Sequence, residues 1–280
     1  MTYRTILVHC DAGKAALKRI ELAAVLAERH QAHLVGLHVR PPFQTPVYDT
    51  GSFAVEMIFK DHEDALKESE AASSKIFAAA VKGKAITSEW RSADGYADDL
   101  LTVQARYADL TVVGQNDPES STRLPMPSDL PESVALASGR AVLVVPFIGA
   151  SAAIGRNVLL CWNASRESAR AATEALPLLQ AAAAVTVLVV GAKTSESGHG
   201  AEPGADVAVW LSRHCVKVTV QRDVAADDGV GGVILSRAAD HGCDLIVMGI
   251  YGHSRLRELV LGGASRTVLA SMTVPVLMAH

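Results

Sequence analysis

Asp244-Leu245-Ile246-Val247-Met248-Gly249, continued by Ile250-Tyr251-Gly252 and then, past residues 253–261, by Gly262-Gly263-Ala264-Ser265, is the stretch that sets the fold. Leu245 to Met248 is an unbroken apolar run, the pattern of a strand buried on both faces. Gly249 ends it, and a helical pattern (Ala264, Val268, Leu269) follows the second glycine pair. A strand, a glycine-lined loop and a helix N-terminus bring free backbone N–H groups to one point. Such points bind anions, phosphate above all. Glycine suits them because a Cβ would hold the backbone away from the ligand.

The chain carries this stretch in two versions. Ala108-Asp-Leu-Thr-Val-Val-Gly114 matches Cys243-Asp-Leu-Ile-Val-Met-Gly249, and Thr5-Ile-Leu-Val-His-Cys-Asp11 matches Asn157-Val-Leu-Leu-Cys-Trp-Asn163. Ala141-Val-Leu-Val-Val145 and Val274-Pro-Val-Leu-Met278 close the two halves. A period this long is a duplicated domain, not a solenoid repeat. Residues 1–147 and 156–280 are the expected domains, with Phe147 to Gly155 as linker.

Composition narrows the class. With 280 residues, each half is long enough for its own core. A net charge of −4 leaves no basic stripe to neutralise phosphates along a polymer, which argues against a nucleic-acid partner. No apolar stretch reaches the roughly 18 residues of a membrane span, and Met1 to Thr5 lead directly into a strand without a leader pattern. Cys10, Cys161, Cys215 and Cys243 show no C-x-x-C spacing and read as reduced thiols. The expectation is a cytoplasmic protein with no membrane contact.

Strands alternate with helices through both halves. The first half reads as strand 4–10, helix 13–31, strand 33–39, helix 53–82, strand 84–90, helix 95–107, strand 109–114, helix 129–138 and strand 141–145. The second reads as strand 157–162, helix 165–180, strand 185–190, helix 205–214, strand 216–222, helix 229–241, strand 243–249, helix 262–272 and strand 274–279. Right-handed crossovers between apolar strands give α/β domains with doubly wound parallel sheets. Ligands bind such sheets at the carboxyl ends of the strands, where the strand order reverses. Asn163, Val190 and Gly249 to Gly252 all fall there.

Gly249-x2-Gly252-x9-Gly262, together with the duplication and the ending Thr273-Val-Pro-Val-Leu-Met278, resembles the universal stress protein family in its two-domain form. The match departs at Gly263, where the family has Ser or Thr, and at Asn163, where it has an acid that Asp11 retains. The resemblance implies two flavodoxin-like (adenine nucleotide alpha-hydrolase-like) domains, each a five-stranded parallel sheet. Pairing through the last strand is implied as well, and ATP, with Mg, in one branch of the family. It implies no catalytic residue and no defined catalysed reaction, with ATP hydrolysis at most weak. Carried over by position, Asn163, Val190, Met248, Gly249, Gly252, Gly262, Gly263, Ala264 and Ser265 form the nucleotide site of the second half. Gly252, Gly263 and Ala264 offer N–H groups to phosphates, and Ser265 adds a hydroxyl. Val190 and Met248 pack on adenine, and Asn163 bonds the ribose or base edge. The first half has no second glycine after Gly114, places Asp117 and Glu119 in the loop and opens its helix with Pro131, so its phosphate cradle is read as lost.

Other readings stay open. The glycines also suit a tight turn and an uncrowded helix start, which leaves an interaction or scaffold module of the same fold as the alternative. Trp162 is a pocket wall, a core residue, or a plug in the adenine space. Arg255 and Arg257 flank the loop as phosphate contacts or as a solvated pair. Asp11-Ala-Gly13-Lys14 fails as a P-loop, because Val8 and Ala15 stand where glycine and Ser/Thr are required. Asp228-Gly-Val-Gly-Gly232 fails as a dinucleotide motif and reads as a capped helix start. The ten histidines show no ligand spacing, so no metal site is expected. A hydrolase lacks any nameable nucleophile, Gly-x-Ser-x-Gly included. Two apolar terminal strands are edges that need cover. The halves are therefore expected to pair within the chain, and chains to pair again as a homodimer.

Overall fold

A computed structural model of the chain describes residues 2–43, 52–117, 124, 127–151, 153–192, 202–225, 229–250 and 263–280, with backbone alone for 52–55. The first half runs β1 (Thr5–His9), α1 (Ala16–His30), β2 (His33–Arg40), α2 (Ser52–Val81), β3 (Ser88–Asp94), α3 (Ala97–Ala105), β4 (Leu110–Gly114), α4 (Leu130–Ser138) and β5 (Ala141–Val145). The second runs β6 (Asn157–Cys161), α5 (Arg166–Glu174), α6 (Leu176–Leu179), β7 (Ala184–Val190), α7 (Ala205–Arg213), β8 (Val218–Asp223), α8 (Gly229–Asp240), β9 (Leu245–Gly249), α9 (Gly263–Ser271) and β10 (Val276–Ala279).

All strands join one ten-stranded sheet in the order β3-β2-β1-β4-β5-β10-β9-β6-β7-β8. Pairing is parallel within each half, and the order reverses between β1 and β4 and between β6 and β9. Helices cover both faces, which is why the central strands are apolar without alternation. Ile6 and Val8 face α1, while Leu7 shares the opposite core with Leu101 and Val134.

The halves meet where β5 and β10 pair antiparallel, Val144 opposite Val276 and Leu143 opposite Leu277. Val142 to Val145 and Val276 to Met278 are buried. The edge problem read from the terminal strands is thus solved within the chain. Around the joint one cluster takes residues from both halves, Leu26 and Ile154 beside Ala171 and Leu176, and the Tyr3 hydroxyl donates to the Glu174 carbonyl at 2.9 Å. Because the joint is antiparallel, the carboxyl ends of β1–β5 and of β6–β10 lie at opposite ends of the sheet.

The repeated Asp-Leu pair has a common structural role. Asp109 accepts the N–H groups of Arg4 and Thr5, and Asp244 accepts those of Gly155, Arg156 and Asn157. Each aspartate pins the start of its domain's first strand with charge-assisted bonds.

Three elements differ from the sequence reading. β3 lies at 88–94 and not at 84–90, because register against β2 (Leu34 to Ser88, Arg40 to Asp94) pulls a polar edge strand outward past Ala85-Ile86-Thr87. The helix expected over 165–180 breaks at Ala175, since Pro177 has no N–H to continue the ladder. In α1 the expected apolar Leu17 is 42% exposed while Arg19 is 3% exposed. That exchange shapes the first-half crevice.

Candidate functional site

The second-half crevice starts where β6 ends. Asn163 is exposed and its Oδ1 accepts the Ser165 N–H at 3.2 Å, a turn that places Ala164 at φ 57. Ser165 then caps α5, its Oγ accepting the Ser168 N–H. The first turn of α5 lies directly on Gly249. A Cβ there would stand 2.6 Å from the Ser168 nitrogen and 2.7 Å from the Glu167 carbonyl carbon. Gly249 therefore has a packing reason of its own.

Glu167, 3% exposed, sits in that turn and pairs with Arg166. Burial opposes its ionisation, yet the hydrogen bonds from Arg166 and its own backbone hold the carboxyl below its ordinary range.

Val190 and Met248 both belong to the core on the α8–α9 side, Met248 5% exposed and Val190 partly exposed. Trp162 packs against the opposite core, so it does not fill the space beside these two. α9 begins at Gly263, which is exposed and has none of the described residues within 4 Å of where a Cβ would be. Ala264 is half-buried, and Ser265 is 6% exposed on the protein-facing side of α9 with Val268 and Leu269. No acidic residue stands in the first turn of α9, so within the described residues of the helix nothing opposes the positive end of its dipole. Gly252 and Gly262, like Tyr251, His253, Glu119, Arg255 and Arg257, lie outside the described residues, as do Asp227 and Asp228. Gly231 of the following glycine run lets α8 approach α9, where a Cβ would meet the Thr267 side chain and the Ala264 carbonyl.

The first-half crevice is built differently. Asp11 makes the corresponding turn, its Oδ1 accepting the Gly13 N–H at 2.8 Å. Its Oδ2 takes a bond from Arg19 Nη2 at 2.7 Å, and Arg19 Nε donates to the His9 carbonyl at 2.9 Å. The guanidinium lies over Gly114, in the space a Cβ would need. Burial alone would raise the Asp11 carboxyl, but Arg19, His9 and the Gly13 N–H bring it down to about 2. Burial lowers His9 to about 4; Asp11 pulls the other way, and Arg19 and His38 add to the lowering.

A cavity of about 630 Å³ opens beside this pair. His9, His38, Ala65, Ala72, Gln115 and Leu130 are among its walls. Pro131 stands in the first turn of α4, so this helix start offers one N–H fewer than α9. Gln115, directly after β4, reaches across the domain joint, donating to the carbonyls of Leu269 at 2.7 Å and Ala270 at 3.3 Å while accepting the Phe147 N–H.

The sequence reading missed Arg19, His9 and His38. The available signal was an arginine among apolar helical positions, eight residues after Asp11, and histidines near the carboxyl ends of two strands that the parallel pairing sets side by side. Among the described residues no three His, Cys, Asp or Glu side chains gather as a metal site, and no helix is long and apolar enough to cross a membrane.

Comparison with known proteins follows the same lines. The model of the universal stress protein family matches residues 2–146 and again 155–280. Among solved structures, a universal stress protein from Archaeoglobus fulgidus DSM 4304 is 16% identical over 98% of this chain and 95% of that one, with a TM-score of 0.69. A putative universal stress protein from Pseudomonas aeruginosa UCBPP-PA14 is 16% identical over 99% and 93%, with a TM-score of 0.55. At such identities the likeness is one of fold. No curated protein matches the chain. The two family matches, one per half of a single ten-stranded sheet, place the chain in the universal stress protein family, in its tandem form.

Proposed function

We propose that the chain is an adenine-nucleotide-binding stress-response protein whose one nucleotide site is in the second domain. The observation that carries this is the start of α9: an exposed Gly263 with none of the described residues within 4 Å of a Cβ there and no acid in the first turn, at the carboxyl end of the sheet. ATP, with Mg, is the ligand, and the site comprises Asn163, Val190, Met248, Gly249, Gly252, Gly262, Gly263, Ala264 and Ser265. The first domain takes no part, since Pro131 shortens its donor set and Arg19 closes over Gly114. We divide the chain at 1–147 and 156–280, place it in the cytoplasm and expect whole chains to pair as homodimers. No catalytic residue is assigned.

Titration calorimetry of the full chain with MgATP tests the reading. One site per chain is expected, and two equivalent sites would overturn the asymmetry. A second reading, an interaction module of the same fold without physiological nucleotide, is favoured by one observation: Glu167 and the first turn of α5 occupy the approach to Gly249. Absence of binding at millimolar ATP would decide for it.

A further inference from the structure

α3 carries an apolar stripe on the side turned away from the core. Ala97, Leu101 and Ala105 are buried, while Tyr96, Leu100, Val103 and Tyr107, spaced four, three and four residues apart, line the opposite face. Tyr107 is 77% exposed, Tyr96 51% and Val103 46%. Arg106 Nη2 donates to the Ala137 carbonyl at 3.4 Å, which brings the exposed Leu136 of α4 alongside. Together these side chains leave about 400 Å² of largely apolar surface in water, the size at which a patch on a single chain marks a contact. Tyrosine suits such a face, being large and stiff with a hydroxyl that stays wet.

The fold itself does not require the stripe. Leu101 and Ala105 of α3 correspond to Ile234 and Ala238 of α8, all four in the same core. Where α3 then has Val103 and Tyr107, α8 has the exposed polar residues Ser236 and Asp240.

Charge selects the occupant. Asp99 and Arg106, both exposed, lie on one flank of the stripe, seven residues apart and about equally far from its middle. When two copies of α3 pack antiparallel about a two-fold axis, each flank meets the same flank of the other copy reversed. Asp99 then faces Arg106 of the partner subunit, twice over, and Tyr96 lies beside Tyr107 of the partner subunit. The stripe is complementary to itself.

We propose that this face of α3 is the surface through which two copies of the chain pair as a homodimer, antiparallel about a two-fold axis. The proposal rests on the pairing of whole chains put forward above and names where it occurs.

Sedimentation equilibrium of the full-length chain reads the pairing. The wild-type chain is expected to dimerise in the micromolar range, as suits a small interface. Tyr107→Ser leaves the core untouched and should weaken the dimer roughly tenfold or more, since it removes an aromatic anchor from both sides. Asp99→Arg and Arg106→Asp should each weaken self-pairing about tenfold by setting like charges opposite one another. An equimolar mixture of these two should recover wild-type affinity as a heterodimer, because both cross pairs are then opposite in sign. That recovery also shows that both variants fold. A wild-type chain that stays monomeric at roughly 100 µM would overturn this surface and the pairing of whole chains together, leaving α3 to a different protein. A dimer that Tyr107→Ser and the charge variants leave unchanged, or a mixture no tighter than the single variants, would overturn the α3 interface alone.

Discussion

Adding one methyl group at position 249 tests what its glycine is for. An alanine Cβ would lie 2.6 Å from the Ser168 nitrogen, 2.7 Å from the Glu167 carbonyl carbon and 2.9 Å from the Glu167 Cβ. Ordinary contacts begin near 3.5 Å, so α5 must retreat by roughly 0.8 Å. The obstacle is backbone, fixed by the Ser165 cap and by packing on β9 and β10, and cannot swing aside as a side-chain tip would. Overpacking of this kind costs about 1–3 kcal/mol, and loosening the cap adds up to about 1 kcal/mol, so Gly249→Ala should lose about 3 kcal/mol. Gly263→Ala is the control. Its Cβ meets none of the described residues, and alanine is favoured over glycine in helices by up to about 1 kcal/mol, so stability should hold or rise slightly. Urea unfolding of both variants measures the contrast. The two variants also separate packing from binding: Gly263→Ala should weaken MgATP binding in a stable protein. A Gly249→Ala chain within about 0.5 kcal/mol of wild type, the ordinary scatter of innocuous substitutions, would refute the packing account.

Three further outcomes are expected. His9 is lowered from 6.5 to about 4, so the unfolded chain takes up its proton first, and stability is lost as pH falls from 6.5 through 4, about 3 kcal/mol in all. Asp11, lowered from 3.8 to about 2, contributes stability present above pH 3.8 and lost toward pH 2. Unfolding free energies at pH 7, 5 and 4 should show the His9 window, and His9→Gln should flatten it. Gln115→Leu strips the donors from the Leu269 and Ala270 carbonyls and the acceptor from the Phe147 N–H, and should cost about 2 kcal/mol in denaturant unfolding; an unchanged midpoint would mean the bridge is idle. Residues 1–147 or 156–280 expressed alone expose β5 or β10 as an apolar edge and should self-associate in sedimentation. Monomeric, well-behaved halves would contradict the role given to the joint.

The parts legible in the sequence are those where physics acts along the chain. A strand covered on both faces must be apolar throughout, so Ile6–Val8 and Leu245–Met248 announce themselves, and a duplication doubles the signal. β3 was misplaced by four residues because an edge strand is set by register with its neighbour, and its own sequence, Ser-Glu-Trp-Arg-Ser-Ala-Asp, carries little hydrophobic pattern. Arg19 escaped because helical periodicity ranks an arginine outward, whereas Asp11 and the His9 carbonyl hold it inside. His38 escaped for a related reason. Its place inside is set by the Cys10 carbonyl across the β1–β2 pair, which fixes the tautomer and which no sequence pattern announces. Gly249 gains a second reason. A glycine at a strand end suggested ligand approach or a tight turn, and the structure adds the close packing of the first turn of α5.

The two crevices show how one duplicated fold diverges. Both halves keep the Asx turn after the first strand, the aspartate that pins that strand and the glycine ending the fourth. What covers that glycine differs. In the first half a long side chain, Arg19, reaches in from the first turn of α1, and a cavity lies beside β2 and α2. In the second half Ser165 starts α5 earlier relative to its strand, and the helix itself fills the place. The consequence is a division of structure: the first half has an open cavity beside the Asp11–Arg19 pair, and the second has a helix start with no acid in its first turn. The sheet tolerates this because β5 and β10 pair through residues that need only be apolar on both faces, while the crevice residue that reaches the joint, Gln115, bonds backbone carbonyls of α9.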